Sequence, residues 1–268
     1  MLMHFWGVRG SVPWATAGSI GHGCNTPCLE IRDPRSGRIL VLDAGSGVVG
    51  LSQTLGQAPR EVPILLTHYH WDHTQGLPFF EPFYRARWQP SIWAPRLRAI
   101  DLEWVKTIFD SPFYPVPFTS LPSPPAVHLV EEGAFAIGTF HVRSLMLRHP
   151  GGAFAYRIAG GAGDIVYATD HEFGNAAIDA ALGEFARGAA AAVLDAHFTP
   201  DEIEAHRGWG HSTWHQCAEF AKTHSIGRLF LFHHKPGRSD VEMNAIEAQA
   251  QRIFAPTTAA REGDEFEF

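Results

Sequence analysis

The sequence predicts an α/β fold built from two mixed β-sheets with helices on their outer faces. Ten apolar runs bounded by Gly, Pro or Asp have the length of strands, and four segments repeat apolar residues at helical spacing. Strands dominate the first half of the chain, whereas strands and helices alternate in the second half. Many connections have hairpin length, which favours mixed sheets over a purely parallel, doubly wound sheet.

The predicted elements follow the chain almost to its end. The strands span residues 3–8, 28–33, 38–42, 62–66, 126–130, 135–147, 153–158, 164–168, 191–195 and 228–233. The helices span residues 96–109, 175–187, 213–224 and 239–254, with a shorter one after Gly47. Residues 80–125 are an aromatic and proline-rich insertion, predicted to be a lid that either stacks on a nucleobase or closes a small hydrophobic core.

Composition limits the classes of protein to which the chain can belong. The 268 residues, 45% of them hydrophobic, suffice for one domain over residues 1–268. The net charge of −7 argues against a long nucleic acid as partner. The chain has no apolar run of membrane-spanning length, no signal-peptide pattern and an odd count of three cysteines. We therefore expect a cytoplasmic protein without a membrane partner; the oligomeric state stays open, a homodimer included.

A heptapeptide directly after the predicted strand 62–66 carries the main chemical signal. Residues 67–73 read Thr-His-Tyr-His-Trp-Asp-His. Alternate residues of an extended segment project to the same side, so His68 and His70 can share one ion while Asp72 and His73 turn toward a second. Crowding three imidazoles and a carboxylate is costly without a cation, and first-row divalent metals suit both ligand types. The cluster predicts a metallohydrolase.

Further candidate ligands stand where other predicted strands end. His149 follows the strand that ends near residue 147, Asp170 follows strand 164–168, and His233 lies at the end of strand 228–233. His234 is the alternative to His233 as the last ligand. Ends of several strands can meet at one sheet edge, so distance along the sequence is no obstacle to a shared site.

These residues resemble the ligand set of the metallo-β-lactamase fold superfamily, and the similarity covers nearly the whole chain. The signature H-x-H-x-D-H is intact, and the later ligands match the family's third, bridging and terminal positions. The resemblance implies a four-layer αβ/βα sandwich with two divalent ions, zinc foremost, with manganese or iron as alternatives. It places His68, His70 and His149 on one ion, Asp72, His73 and His233 on the other, and Asp170 between them.

Within the superfamily, two features resemble the phosphodiesterase branch, which includes tRNA 3′-processing endonucleases and hydrolases of small cyclic phosphodiesters. The stretch Gly210-His211-Ser212-Thr213 matches the branch's histidine motif, and Asp195 matches the carboxylate that partners this histidine. The resemblance implies that His211, oriented by Asp195, protonates the leaving group. Asp72 is expected both to bind metal and to orient the attacking hydroxide.

The predicted function is hydrolysis of a small nucleotide-like or cyclic phosphodiester by metal-hydroxide attack. The long basic arm of the tRNA-processing enzymes has no counterpart here, which favours a small substrate. One alternative keeps the metals and changes the bond to a thioester, lactone or β-lactam, a reaction that needs an oxyanion site more than a leaving-group acid. A second alternative is a non-catalytic, metal-dependent module that binds nucleotides.

Residues outside these motifs are predicted either to support the site or to have a structural role only. Asp43 is expected to orient a ligand histidine, and His171 and Glu172 are candidates for the same kind of role. Arg9 and Asn25 either contact a phosphate or serve the loops that contain them. Eight other histidines are predicted to be surface or satisfied core residues: His4, His22, His128, His141, His197, His206, His215 and His224.

Overall fold

The computed structural model describes residues 1–58, 60–97, 103–109 and 114–268. In this part of the chain the strands are β1 (Leu2–Gly7), β2 (Cys28–Arg32), β3 (Ile39–Leu42), β4 (Glu61–Leu65), β5 (Gln89–Pro95), β6 (Ala126–Val130), β7 (Gly133–Ile137), β8 (Phe140–Leu147), β9 (Ala153–Ile158), β10 (Ile165–Ala168), β11 (Ala191–Asp195), β12 (Leu229–Phe232), β13 (Thr257–Ala259) and β14 (Glu265–Glu267). The helices are α1 (Gly47–Thr54), α2 (Trp71–Thr74), α3 (Trp104–Ile108), α4 (Ala176–Ala186), α5 (Trp214–Thr223) and α6 (Asp240–Ile253).

The strands form two seven-stranded sheets of similar design. The first has the order β14-β1-β2-β3-β4-β5-β6, antiparallel from β14 to β3 and parallel from β3 to β6. The second has the order β13-β12-β11-β10-β9-β8-β7, parallel from β13 to β10 and antiparallel from there to β7. Both sheets are mixed, and the predicted α/β fold with two mixed sheets is confirmed.

The inner faces of the two sheets pack against each other through an aromatic core. The ring of Phe5 on β1 lies 5.3 Å from that of Phe230 and 6.0 Å from that of Phe232, both on β12. Helices α4, α5 and α6 cover the outer face of the second sheet, and α1 packs on the outer face of the first. The layers are therefore helix, sheet, sheet and helix, as the four-layer prediction required.

Three predictions of secondary structure need correction. The run 135–147 contains two strands, β7 and β8, joined by a two-residue turn in which Gly138 has a φ of +57°. The short strands β13 and β14 near the end of the chain were not predicted, since three residues carry too little periodicity. Helix α3 occupies part of the predicted helix 96–109; residues 98–102 of that helix lie outside the described residues.

Residues 80–125 do not act as a lid along their whole length. Residues 89–95 form strand β5 between β4 and β6, and two prolines inside this strand hid it from prediction. Phe80, Phe83, Trp88 and Phe109 belong to the buried cluster on the outer face of the first sheet. For these rings the structure supports the core alternative. Residues 110–113, Phe113 included, lie outside the described residues.

None of the helices in the described ranges combines the length and the apolar composition needed to cross a bilayer. The longest, α6, has 14 residues and begins with a capping box: the Ser239 side chain accepts from the backbone N–H of Glu242, and the Glu242 side chain accepts from that of Ser239.

The core between the sheets yields a first prediction. Replacing the fully buried Phe230 by alanine leaves a cavity among aromatic neighbours, so we expect Phe230→Ala to lower the free energy of unfolding by about 3–5 kcal/mol. The control Val241→Ala removes a side chain that is 78% exposed on α6, and its effect should stay within about 0.5 kcal/mol. Urea unfolding of the metal-free variants measures both. Equal losses for the two variants would contradict the assignment of this core.

Candidate metal centre

Ligands from both sheets meet at one edge of the sandwich. Strand β4 ends at Leu65 and the four-residue helix α2 begins at Trp71, so His68 and His70 lie in the connection between them. Asp72 and His73 lie within α2. His149, Asp170 and His233 follow the ends of β8, β10 and β12. The predicted convergence of strand ends is therefore what the structure shows.

Three histidines form the first group of ligand atoms. The coordinating atoms of His68, His70 and His149 all lie within 4.8 Å of one another. His70 Nδ1 is 3.0 Å from His149 Nε2. His68 Nε2 is buried and has no hydrogen-bond partner in the described part of the chain. A buried nitrogen without a partner is costly, and a cation at the centre of the group would satisfy it.

The second group combines two histidines with a carboxylate. His73 Nε2 and His233 Nε2 are 3.4 Å apart, and His233 Nε2 is 3.1 Å from Asp72 Oδ2. All three residues are buried. This group has the mixed imidazole and carboxylate character that zinc, manganese and iron accept.

Asp170 lies between the two groups, as the resemblance implied. Its Oδ1 is 3.9 Å from the Nε2 atoms of both His68 and His149, and 3.5 Å from His233 Nε2. Its Oδ2 is 3.2 Å from His73 Nε2. One carboxylate oxygen therefore faces both groups, which is the position needed to bridge two ions. The structure thus brings all seven predicted ligands together, and their division between two ions stays a prediction.

The choice between the two consecutive histidines at the end of β12 is resolved by their side-chain directions. His233 leaves the strand with a φ of +60° and its ring enters the second group. His234 is also buried, but its Nε2–H donates to the carbonyl oxygen of Ala260 at 2.8 Å, away from the ligands. Of the two histidines, His233 is therefore the one whose ring lies among the candidate ligands.

Local charges set the protonation of the ligand histidines. Burial, and after it the neighbouring His73, lower the pKa of His68 well below its usual range. Burial opposes a charge on His73 as well, but Asp72, Asp170 and Asp43 outweigh it and raise the pKa of His73 well above its ordinary value. His68 is thus held neutral, as a ligand must be, while the carboxylates favour a positive charge beside His73. A metal ion would supply that charge in place of a proton.

Asp43 accepts hydrogen bonds from the segment of residues 67–73, which carries four of the candidate ligands. Its Oδ2 accepts from His73 Nδ1–H and from the Tyr167 hydroxyl, both at 2.8 Å, and its Oδ1 accepts from the backbone N–H of Thr67 at 2.7 Å. The Thr67 hydroxyl also donates to Asp43, so His68 Nδ1–H donates to Thr67 Oγ1 at 3.0 Å. These bonds leave the Nε2 atoms of both histidines free for a metal. The prediction that Asp43 orients a ligand histidine is confirmed.

A second support holds His149 from the other side. His149 Nδ1–H donates to the Gly210 carbonyl at 3.0 Å. Glu172 Oε2 accepts from the backbone N–H groups of Gly208 and Gly210 at 2.8 and 2.9 Å, which fixes the loop before His211. Glu172 therefore orients a ligand through the backbone of this loop. His171 pairs with Asp179 of α4 through Nε2 at 3.2 Å, and its Nδ1 accepts from the backbone N–H of Arg148, the residue before His149, at 3.3 Å.

The predicted pair of His211 and Asp195 is present beside the ligands. His211 Nδ1–H donates to Asp195 Oδ2 at 2.7 Å, and His211 Nδ1 lies 3.8 Å from Asp170 Oδ1. Burial lowers the pKa of His211, but Asp195 outweighs it and raises this pKa to about 9. His211 Nε2 has no hydrogen bond to any described residue, so this nitrogen can donate a proton to a molecule bound at the site. The Thr213 side chain caps helix α5.

Sequence reasoning missed His197, which was predicted to be a surface or satisfied core residue. The ring is buried, stacks on His211 with centroids 4.5 Å apart, and donates from Nδ1 to the His233 carbonyl at 2.9 Å. Burial, followed by the neighbouring His211 and His233, lowers the pKa of His197 to about 3, so the ring is neutral. The available signal was the spacing Asp195-x-His197 at a strand end, which repeats that of His68-x-His70.

The loop after β1 also reaches the site, and this too was missed. The backbone N–H of Ser11, at a φ of +65°, donates to Asp72 Oδ2 at 2.6 Å. A Cβ on Gly10 would lie 2.4 Å from the His233 ring, so only glycine allows this approach. The sequence offers no pattern from which a backbone contact of this kind can be predicted.

Two residues considered as phosphate contacts serve the loops instead. Arg9 is completely buried, and its guanidinium donates to the carbonyl oxygens of Ser19, Gly23 and Arg238. The Asn25 side chain donates to Glu262 at 3.0 Å and accepts from Ser46 at 3.0 Å. The phosphate-contact alternative is therefore wrong for both residues, because their polar atoms are used within the protein.

The bonds of Asp43 lead to a prediction for metal affinity. Asparagine tolerates the left-handed backbone that Asp43 adopts, with a φ of +60°, so Asp43→Asn removes the charge behind His73 with little change of conformation. We expect metal binding to weaken by about 10–100-fold. Competition with a zinc-sensitive dye measures it. The control Tyr167→Phe removes one hydrogen bond and keeps the charge, and an equally large effect there would contradict the charge argument.

The Gly210 contact leads to a second prediction with a matched control. A Cβ on Gly210 would lie 2.1 Å from His149 Nδ1. A Cβ on Gly208 would have none of the described atoms within 4 Å. The two glycines have similar φ angles, +87° and +84°. Both alanine variants therefore carry similar backbone strain, about 1–2 kcal/mol. Only Gly210→Ala should also lose bound metal in elemental analysis, because it displaces His149. Equal metal content in the two variants would refute the proposed role of this close approach.

Comparisons with known proteins agree with this geometry. Residues 38–234 match the family model of the beta-lactamase superfamily domain. The chain is 26% identical over 305 residues to a ribonuclease Z of Bradyrhizobium sp. (strain ORS 278), with 97% of each protein covered.

Two solved structures share the fold along the whole chain. A diphosphatase of the PhnP family has a TM-score of 0.72 at 19% identity, with 100% of this chain and 96% of that chain covered. The short form of human tRNase Z has a TM-score of 0.70 at 18% identity, with 100% and 99% covered. Since the family model spans most of the sequence and the ligand motif is intact, the chain belongs to the beta-lactamase superfamily, as its resemblance predicted.

Proposed function

We propose that this chain is a two-metal phosphodiesterase that hydrolyses a small nucleotide-like or cyclic phosphodiester. Family membership supports the broader class, a metal-dependent hydrolase. The observation that carries the finer proposal is the His211–Asp195 pair, which lies beside two adjacent groups of metal-binding side chains. Such a pair is what a leaving alkoxide needs, and two adjacent ions are what a phosphoryl group needs.

The donor set fits two divalent cations. His68, His70 and His149 would hold one ion, and Asp72, His73 and His233 the other, with Asp170 shared. When bound, the ions would neutralise charge on the phosphoryl oxygens and lower the pKa of a water molecule. Zinc is our first choice, and manganese or iron would also suit these ligands.

The remaining steps belong to side chains of the protein. Asp195 accepts the hydrogen bond from His211 Nδ1–H, so the second proton of the protonated ring is on Nε2, and Asp195 stabilises this charged form. The pKa of His211, about 9, keeps this proton in place at neutral pH. His211 would then deliver the proton to the leaving oxygen. Asp72, which accepts from the backbone N–H of Ser11, would orient the attacking water.

The His211–Asp195 pair argues against a thioester, lactone or β-lactam as the bond that is cleaved. Hydrolysis of a thioester, lactone or β-lactam depends on donors aimed at a developing oxyanion more than on a buried leaving-group acid. An Asp195 that binds His211 at 2.7 Å, and that is itself fully buried, favours the phosphodiester. A non-catalytic nucleotide-binding module would make no use of the proton on His211.

The net charge of the chain favours a small substrate over a long nucleic acid. The chain has 21 Lys and Arg against 28 Asp and Glu, so it lacks the excess of cations that long nucleic acids attract. Cations near the site are paired within the protein: Arg148 lies 3.3 Å from Glu172, and Lys235 lies 2.8 Å from Glu202. Since two relatives are named for RNA cleavage, a tRNA precursor belongs in the substrate panel as the competing possibility.

The proposed acid is tested with two leaving groups. In His211→Ala we expect turnover of a 2′,3′-cyclic nucleotide, whose alkoxide needs a proton, to fall by about 10²–10⁴-fold at unchanged metal content. Turnover of bis(p-nitrophenyl) phosphate should fall far less, because p-nitrophenolate leaves without a proton. His215→Ala, on the exposed side of α5, serves as the control and should match the wild type.

Two results would count against this proposal. Equal losses on both substrates, or none, would remove His211 from the role of acid. Metal-loaded wild-type protein that binds nucleotides yet cleaves no phosphodiester in the panel would leave the binding module as the better account.

A further inference from the structure

An aromatic groove is lined in part by residues of the segment 69–75, which also carries candidate metal ligands, and it has no part in the chemistry described so far. It has a volume of about 660 Å³ and is lined by the rings of Tyr69, Trp71, Phe79, Trp104 and Tyr114. Tyr69 and Trp71 are the two neighbours of His70 in the sequence, so the groove begins at a metal ligand. Its volume is typical of sites for small molecules.

The walls of this groove are held in place by contacts that leave its surface open. Tyr69 and Trp104 meet edge to face at 4.8 Å, and Phe79 and Tyr114 do so at 5.5 Å. The Tyr69 hydroxyl donates to the Pro95 carbonyl at 2.6 Å, and that of Tyr114 to Pro78 at 2.7 Å. The ring planes are therefore fixed before anything binds.

Two of the rings are exposed to a degree that the fold does not require. Trp71 is 59% exposed and Phe79 is 57% exposed, whereas Phe80 and Phe83, the aromatic neighbours of Phe79 in the sequence, are completely buried. Exposed rings beside a catalytic centre offer surfaces on which a planar group can stack.

The polar character of the groove limits what it can hold. No Asp, Glu, Lys, Arg or His is among the described residues that line it, so an ionised group would lose hydration there without a partner. Thr74, Thr107 and Gln75 supply neutral hydrogen-bonding groups. Gln75 donates its amide N–H to Thr26 at 3.0 Å, and its carbonyl oxygen has no partner in the described part of the chain.

The groove and the proposed acid are next to different candidate ligands. Tyr69 and Trp71, the sequence neighbours of His70, line the groove, whereas the His211 ring lies 5.6 Å from that of His149. His70 Nδ1 lies 3.0 Å from His149 Nε2. The leaving oxygen must be near His211 to take its proton. This order of residues favours a group in the groove that is attached to the other side of the phosphorus.

We infer that this groove binds an uncharged planar ring of nucleobase size, carried on the non-leaving side of the scissile phosphodiester. The inference rests on the proposed function and adds to it the substrate class: a diester with a base, or a similar ring, on the side that stays with the phosphate.

Two substrates with the same leaving group test the inference. We would compare methyl p-nitrophenyl phosphate with thymidine 5′-(p-nitrophenyl phosphate), so that leaving-group effects cancel. For the wild type we expect kcat/KM to be at least about tenfold higher with the thymidine ester, mainly through KM, as stacking on exposed rings predicts. Phe79→Ala and Trp71→Ala should lower this ratio toward one. Trp209→Ala, which removes a tryptophan that is 61% exposed but outside the groove, should leave the ratio unchanged.

The outcomes separate this inference from the proposed function. Hydrolysis of both esters at similar kcat/KM, or a ratio insensitive to Phe79→Ala, would overturn the groove inference and leave the phosphodiesterase intact. Failure to hydrolyse either ester or any other phosphodiester of the panel would refute the phosphodiesterase. In that case, binding of thymidine measured by saturation-transfer NMR still decides the groove: binding that Phe79→Ala abolishes supports it, and no binding overturns it. Metal analysis of Trp71→Ala checks that the adjacent ligands are undisturbed.

Discussion

The site depends on pairs of imidazole nitrogens that face each other across short distances. His149 donates from Nδ1 to Gly210, and His73 donates from Nδ1 to Asp43, so the Nε2 atom of each ring is turned toward the other candidate ligands. These two Nε2 atoms lie 3.0 Å from His70 Nδ1 and 3.4 Å from His233 Nε2, respectively. Each contact needs either a proton or a cation between its two nitrogens, and two divalent ions would supply the cations.

Three residues of the site have strained backbone conformations. Asp43, Asp170 and His233 each leave a strand end with φ near +60° (+60°, +59° and +60°). None is a glycine, and such residues carry roughly 1–3 kcal/mol of strain each. The aromatic core between the sheets, with Phe5 against Phe230, holds those strand ends rigidly enough to keep the strain. Stability of the core and geometry of the site are therefore linked.

Local patterns allowed most of the site to be predicted. The heptapeptide of residues 67–73 is compact in sequence, and a ligand such as Asp170 could be found because apolar strands show where polar side chains must follow. Strand β5 was not predicted because it contains Pro90 and Pro95, which are unusual in a central strand. Its place in the sheet is defined by its pairing with β4 and β6. The Ser11 contact uses a backbone N–H, which every residue but proline has, so side-chain chemistry cannot reveal it.

X-ray diffraction at the zinc absorption edge, on crystals grown with zinc, tests the central claim most directly. The account predicts two anomalous peaks about 3.5–4 Å apart. One should lie among His68, His70 and His149, and the other among Asp72, His73 and His233, with Asp170 between them. A single peak outside these groups, or no peak in excess zinc, would contradict the account.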